Sequence, residues 1–132
     1  MPPSPPTIAP DSLATPIDII FAAAGSDARL LDASREGARG LVLAAMGRGN
    51  VPPAMVPGIK RWVADGKPVV LTSRTQGGRV GHTYGYAGGG RRLEEIGAIF
   101  GGSRRAQQAR IDLMLALGAG MGNEEIREMF EA

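Results

Sequence analysis

The chain has 132 residues, a formal net charge of +2, 43% hydrophobic and 21% charged residues, no cysteine and one histidine. That is the size and composition of one globular domain with a core of its own. The missing cysteines exclude disulfides, thiolate metal sites and a cysteine nucleophile, and His82 alone cannot build a His-rich metal centre.

In chain order, residues 1–16 come first and hold six prolines: Pro2, Pro3, Pro5, Pro6, Pro10 and Pro16. Such a stretch favours extended polyproline conformation and reads as a linker or tail. The folded body is expected over residues 17–132. Residues 17–24 form an apolar run closed by Gly25, a strand. Ser26 is expected to cap a helix through Glu36, with Leu30 and Leu31 inward and Gly37 as a left-handed stop. Residues 40–46 read as a buried strand, and Gly47-Arg48-Gly49-Asn50 as a tight turn. Pro52 and Pro53 suit a first helical turn. Beyond them Met55, Val56, Ile59, Trp62 and Val63 make one stripe at 3.6-residue spacing, and Gly66 ends it.

Residues 68–74 are a third strand, with Pro68 at its start. Residues 75–95 hold seven glycines and read as a long loop, a kind of segment often tied to function. Residues 96–100 predict a weaker fourth strand. Ser103 is expected to cap a helix to about Leu117, whose end, IDLMLAL, is apolar nearly all round and should face the sheet or a partner. Asn123 is expected to cap a last helix, with Glu124 and Glu125 favoured by the dipole in its first turn and Ile126, Met129 and Phe130 inside.

This alternation predicts a small three-layer α/β domain, Rossmann-like in its layers, with about four parallel strands flanked by helices. Continuous apolar strands mean that both sheet faces are covered. The apolar IDLMLAL segment and the face of the final helix leave more apolar surface than four short strands cover, so self-association is expected.

In open α/β sheets, ligands bind beyond the carboxyl ends of the strands. Residues 24–27, 47–50, 73–76 and 101–103 should meet at that rim. Gly47 and Gly49 permit close backbone approach, and Asn50 offers both a carbonyl acceptor and an amide donor. Read locally, Asn50 is a cap for the next helix. No dinucleotide fingerprint and no phosphate-cradling G-x-x-x-x-G-K-[ST] run occurs. His82 shares the glycine-rich loop with Tyr84 and Tyr86; it reads as an acid–base residue on a lid or as an exposed loop histidine, and the two tyrosines as groups that close over a ligand or anchor the loop. Arg91-Arg92 and Arg104-Arg105 read as solvated faces or interface ion pairs, Asp112 as a polar interface residue, and Trp62 as core. No nucleophile elbow and no hydroxyl–base pair is evident, so no catalytic residue is expected in this chain.

No cofactor or metal is expected either. The scattered arginines and 5% aromatics argue against nucleic acid. No run approaches the ~18 apolar residues of a membrane span. The first residues, MPPSPPTIAP, carry neither a basic n-region nor an apolar h-region. A cytoplasmic location is therefore expected, and a periplasmic one if the chain belongs to a longer precursor.

At GLVLAAMGRGN over residues 40–50 the chain resembles the C-terminal domain of bacterial-type L-asparaginases. The likeness continues through GKPVVLTSR at 66–74, GGRV at 77–80, YGY at 84–86, GAI at 97–99 and QARIDLMLAL at 108–117. The resemblance implies a two-domain amidohydrolase that converts L-asparagine to L-aspartate and ammonia. Its threonine nucleophile and the accompanying Thr, Asp and Lys would lie on an N-terminal domain. None of those motifs surrounds Thr7, Thr15, Thr72, Thr75 or Thr83. It further implies that Asn50, with Gly47 and Gly49, reaches the substrate site of a neighbouring subunit, that Tyr84 belongs to the same site, and that the assembly is a homo-oligomer. Some members add a glutamate from the long loop; its expected place here falls near Gly90. An asparaginase N-terminal domain, in the same or a separate chain, is the implied partner. A stand-alone small-amino-acid-binding module, or one that only oligomerises, is the alternative.

Overall fold

A computed structural model describes residues 13–75 and 88–131. Ten elements follow one another among the described residues. They are β1 (Ile17–Phe21), α1 (Arg29–Arg35), β2 (Gly40–Ala45), a 3-10 turn (Pro53–Met55), α2 (Val56–Ala64), β3 (Val69–Ser73), α3 (Gly90–Ile96), β4 (Ile99–Phe100), α4 (Ala106–Gly118) and α5 (Asn123–Glu131). The four strands pair in parallel in the order β1-β2-β3-β4.

Every residue of β2 and β3 is buried, because helices cover both faces. On one face Leu41, Leu43, Val69 and Leu71 pack against Leu31 of α1, Ile59 and Trp62 of α2 and Leu93 of α3. On the other, Val42, Ala44 and Val70 meet Ala109 and Leu113 of α4 and Ile126 and Phe130 of α5. Each large side chain so enclosed contributes roughly 1.5–3 kcal/mol. The strands thus carry apolar residues at consecutive positions, as a sheet covered on both faces requires. The expected three-layer parallel architecture is what the chain adopts. The sheet winds in one direction only, so it has no point where strand order reverses, and no dinucleotide crevice of that kind arises.

The stripe on α2 is as the spacing predicts: Met55, Val56, Ile59 and Trp62 are buried, and Val63 packs beside them. Trp62 Nε1 donates to Leu31 O at 2.9 Å, so the indole is both core and clamp between α1 and α2.

Several local expectations are corrected. The helix after Gly25 starts at Arg29, and Ser26 instead accepts a hydrogen bond from Ala23 N through its Oγ at 3.1 Å. Adjacent residues on a helix stand ~100° apart, so with Leu31 inward Leu30 is turned outward and exposed. Gly37 is not among the positive-φ glycines; the helix closes through Gly37 N and Ala38 N on Ser34 O. Residues 90–96, placed in the loop and fourth strand, form α3, and β4 shrinks to Ile99 and Phe100. Helix α4 begins three residues after Ser103, with no side-chain cap bond. Asn123 is the first residue of α5; ahead of it Glu125 Oε1 accepts from Gly122 N at 3.3 Å. The Asn123 amide reaches across to Gly66 O at 3.0 Å.

Arg104 and Asp112 depart furthest from expectation. Neither is a solvated or interface group. Both are buried and joined at 2.9 Å, and Arg104 also donates to Phe130 O at 3.0 Å and Gly101 O at 3.3 Å. Its guanidinium lies 4.7 Å from the Phe130 ring centroid. Arg91 and Arg92, by contrast, are exposed and pair with Glu95.

Candidate functional site

The carboxyl ends of β1, β2 and β3 are tied together as the sheet order requires. Arg74 N donates to Ala45 O at 2.8 Å, and its guanidinium reaches Ala22 O at 3.0 Å. Ser73 Oγ lies 2.6 Å from Gly47 O and 2.6 Å from Thr75 Oγ1, and it accepts from Thr75 N at 3.2 Å. The Ser73 hydroxyl is therefore spent on fixing the turn after β2. Among the described residues it has no base as partner.

The turn itself is built around its glycines. Gly47 and Gly49 take φ of 52° and 118°, a region that penalises any side chain. They bring Asn50 back onto Met46: Met46 N donates to Asn50 O and Asn50 N to Met46 O, each at 2.8 Å. The backbone of Asn50 is thereby fixed on both sides. Its side chain is half-buried and makes no hydrogen bond to another described residue. The capping alternative does not hold. The 3-10 turn begins at Pro53, behind Pro52 as its cap residue, and neither it nor α2 receives a side-chain cap bond. Asn50 stands too far ahead of both.

The next residue anchors the far end of the glycine-rich segment. Val51 N donates to Gly88 O at 2.7 Å, and a Cβ on Gly88 would lie 1.8 Å from Val51 O. Only glycine permits this approach. The contact brings the start of α3 beside the Asn50 turn. Gly90, the expected place of a loop glutamate, is the first residue of that helix, so the chain has no carboxylate at that position. Gln76, His82, Tyr84 and Tyr86 lie outside the described residues.

Elsewhere Ser34 donates a short hydrogen bond to Asp18. That pair joins α1 to the amino half of β1, away from the rim. No cluster of metal-ligating side chains is found among the described residues, and no described helix is long and apolar enough to cross a membrane.

Residues 16–130 match the model of the glutaminase/asparaginase C-terminal domain family. The chain is 42% identical over 125 residues to a probable L-asparaginase of Deinococcus radiodurans, a match covering 95% of this chain and 38% of that protein. The thermostable L-asparaginase from Thermococcus kodakarensis superposes with a TM-score of 0.80 at 30% identity, over 92% of this chain and 37% of its own. A probable cytoplasmic L-asparaginase from Campylobacter jejuni gives 0.72 at 26% identity, over 87% and 36%. The chain thus spans less than two fifths of these relatives. The parallel order of four strands, the GRGN turn after β2 and a match across nearly the whole folded body agree, and the chain belongs to the glutaminase/asparaginase C-terminal domain family.

Proposed function

We propose that the chain completes an L-asparagine amidohydrolase site whose threonine nucleophile lies on the N-terminal portion of such enzymes, in the same polypeptide or a separate one. In that reaction the nucleophile attacks the substrate carboxamide carbon, ammonia leaves, and water releases L-aspartate from the acyl-enzyme. No cofactor takes part. Asn50, presented by Gly47 and Gly49, contacts the substrate or a neighbouring catalytic group, and Tyr84 is a further substrate-binding residue of the same site. Copies of the chain associate, and the assembly works in the cytoplasm, as the description of the Campylobacter jejuni neighbour suggests.

The observation that supports this reading is the Asn50 amide, placed on a rigid turn at the rim without a described partner. A half-buried amide on a backbone fixed from both sides keeps its donor and acceptor available, and a substrate or a group from another domain would take them up.

The test mixes the purified chain with the N-terminal portion of the Deinococcus radiodurans relative and measures ammonia from L-asparagine. The chain alone is expected to release none, and the mixture to be active. Asn50→Ala should lower turnover efficiency on the order of tenfold or more, because misplacement near reacting atoms is expensive. Asn50→Asp should fall too, since a carboxylate cannot donate and adds a negative charge beside that of the substrate. Parent-like activity of Asn50→Asp would sink the assignment. Hydrolysis by the chain alone, surviving repurification, would sink the division of labour.

A further inference from the structure

The turn that carries Asn50 is closed by bonds that all end on Met46: Met46 N donates to Asn50 O, and Gly49 N and Asn50 N donate to Met46 O. Gly47–Arg48 is the central peptide of that turn, and its carbonyl takes part in none of these bonds. It faces the next strand instead, where Ser73 Oγ donates to it at 2.6 Å. Ser73 is the last residue of β3, is buried, and stands in register opposite Ala45. Arg74 N adds a bond to Ala45 O at 2.8 Å. The hydroxyl therefore reaches the turn from a backbone that the sheet holds in place.

The directions of these bonds follow from the atoms. A carbonyl oxygen has no proton, so Ser73 gives its single hydroxyl proton to Gly47 O. The 2.6 Å contact between Ser73 Oγ and Thr75 Oγ1 is then a bond donated by Thr75, whose backbone N donates to the same oxygen at 3.2 Å. Two donors from one residue thus hold Ser73 in the rotamer that points its proton at the turn. Hydroxyls in series also polarise one another, which strengthens the last bond of the chain. That last bond ends beside the candidate group: a Cβ on Gly47 would stand 3.9 Å from Asn50 Nδ2. Glycine restrains its own torsions least of all residues, so the tilt of the Gly47–Arg48 peptide is set from outside.

We infer that Ser73 is a positioning residue for the reaction proposed above. Through Gly47 O it sets the tilt of the peptide beside which the Asn50 amide lies, and Thr75 keeps it in the donating rotamer. Its effect on turnover passes through Asn50 and not through the substrate. The inference rests on the role proposed for Asn50 and names the side chains that aim it.

The test has two arms. In the first, heteronuclear NMR of the full chain follows the Arg48 backbone amide and the Asn50 side-chain amide. Ser73→Ala should move both signals, Thr75→Val should move them less and in the same direction, and Ser73→Thr, which keeps the hydroxyl, should return them toward the parent positions. Signals of α5 should stay in place throughout, which checks that the fold persists. Thr75 is exposed, so Thr75→Val keeps this arm decisive even where Ser73→Ala does not fold. In the second arm each variant is mixed with the N-terminal portion of the Deinococcus radiodurans relative, and ammonia from L-asparagine is measured. Ser73→Ala should lower kcat/KM roughly three- to tenfold. That loss should vanish in the Asn50→Ala background, because a residue that acts through Asn50 then has nothing left to aim. A loss of equal size in both backgrounds marks a merely structural role and overturns the inference. Arg48 and Asn50 signals that match the parent's in Ser73→Ala, or in Thr75→Val where Ser73→Ala does not fold, overturn it as well. An inactive parent mixture, or one in which Asn50→Ala is as active as the parent, sinks the reading of the site and with it the part of Ser73 in turnover, while the first arm still decides whether Ser73 sets the turn.

Discussion

Arg104 shows how far a single side chain can depart from its sequence context. It stands in an Arg-Arg doublet before a helix, a pattern that reads as surface. Its partner Asp112 lies eight residues on, and its carbonyl acceptor Phe130 lies twenty-six residues on. Only the packing of α5 against α4 and β4 closes a shell around it. Removing one member of a buried pair leaves the other charge uncompensated. Arg104→Ala should cost about 3–5 kcal/mol in denaturant unfolding, and Arg104→Lys should recover only part, because the ammonium lacks the planar fork. Asp32 behaves otherwise. Its carboxylate accepts from Arg61 Nε at 2.7 Å and Nη2 at 2.8 Å, linking α1 to α2 at the surface. The Arg61 hydrogen bonds hold its pKa below the ordinary 3.8, and partial desolvation opposes them. A carboxylate with a depressed pKa in the folded state stabilises above its unfolded value and loses that contribution as pH falls through the folded one. The parent should therefore melt modestly above Asp32→Asn at neutral pH. That difference should shrink below pH 3.8 and also narrow with added salt, both read from melting curves.

At the scale of elements, patterns with a short period were legible. The strands β2 and β3, the α2 stripe and the turn glycines Gly47, Gly49 and Gly66 follow from spacing and residue type alone. The segment leading to β4 was not. Its glycines suggested loop and its Ile-Gly-Ala-Ile-Phe run suggested strand, yet residues 90–96 are helical because Leu93 finds a place beneath the sheet. Gly97 ends that helix at φ 128°, and a Cβ there would come within 2.8 Å of Val63 Cγ1. Gly97→Ala should destabilise by more than about 1 kcal/mol, since both backbone and contact oppose it. Adding Val63→Ala should restore only the contact part, because the backbone strain stays. Equal stability of Gly97→Ala and parent in urea would refute this reading of the turn.

The whole molecule adds what no element carries. One face is covered by the crossover helices α1, α2 and α3, and the other by the C-terminal pair α4 and α5. That pair also closes the β4 edge, through Arg127 and Glu131. Replacing both with alanine should cost roughly 1 kcal/mol per lost hydrogen bond. It should also make concentrated samples scatter more light, because an open strand edge invites pairing. Unchanged scattering would show that α5 guards the edge by bulk alone. The candidate site was legible in part for the same reason of scale. GRGN has the composition of a tight turn, and the order of strands placed it at the carboxyl rim. That Asn50 stands clear of the helix, with no side-chain partner among the described residues, and is no cap depended on where the Pro53 turn begins. By itself the sequence determined the parallel three-layer class, the identity of the core stripes and the turn that presents Asn50, because these rest on periodicity and on backbone preferences that act within a few residues. Only the tertiary structure decided which arginine is buried, which leucine faces out and which sheet edge α5 covers. Those outcomes depend on contacts between segments far apart in the chain, and no local pattern records which surfaces those contacts will cover.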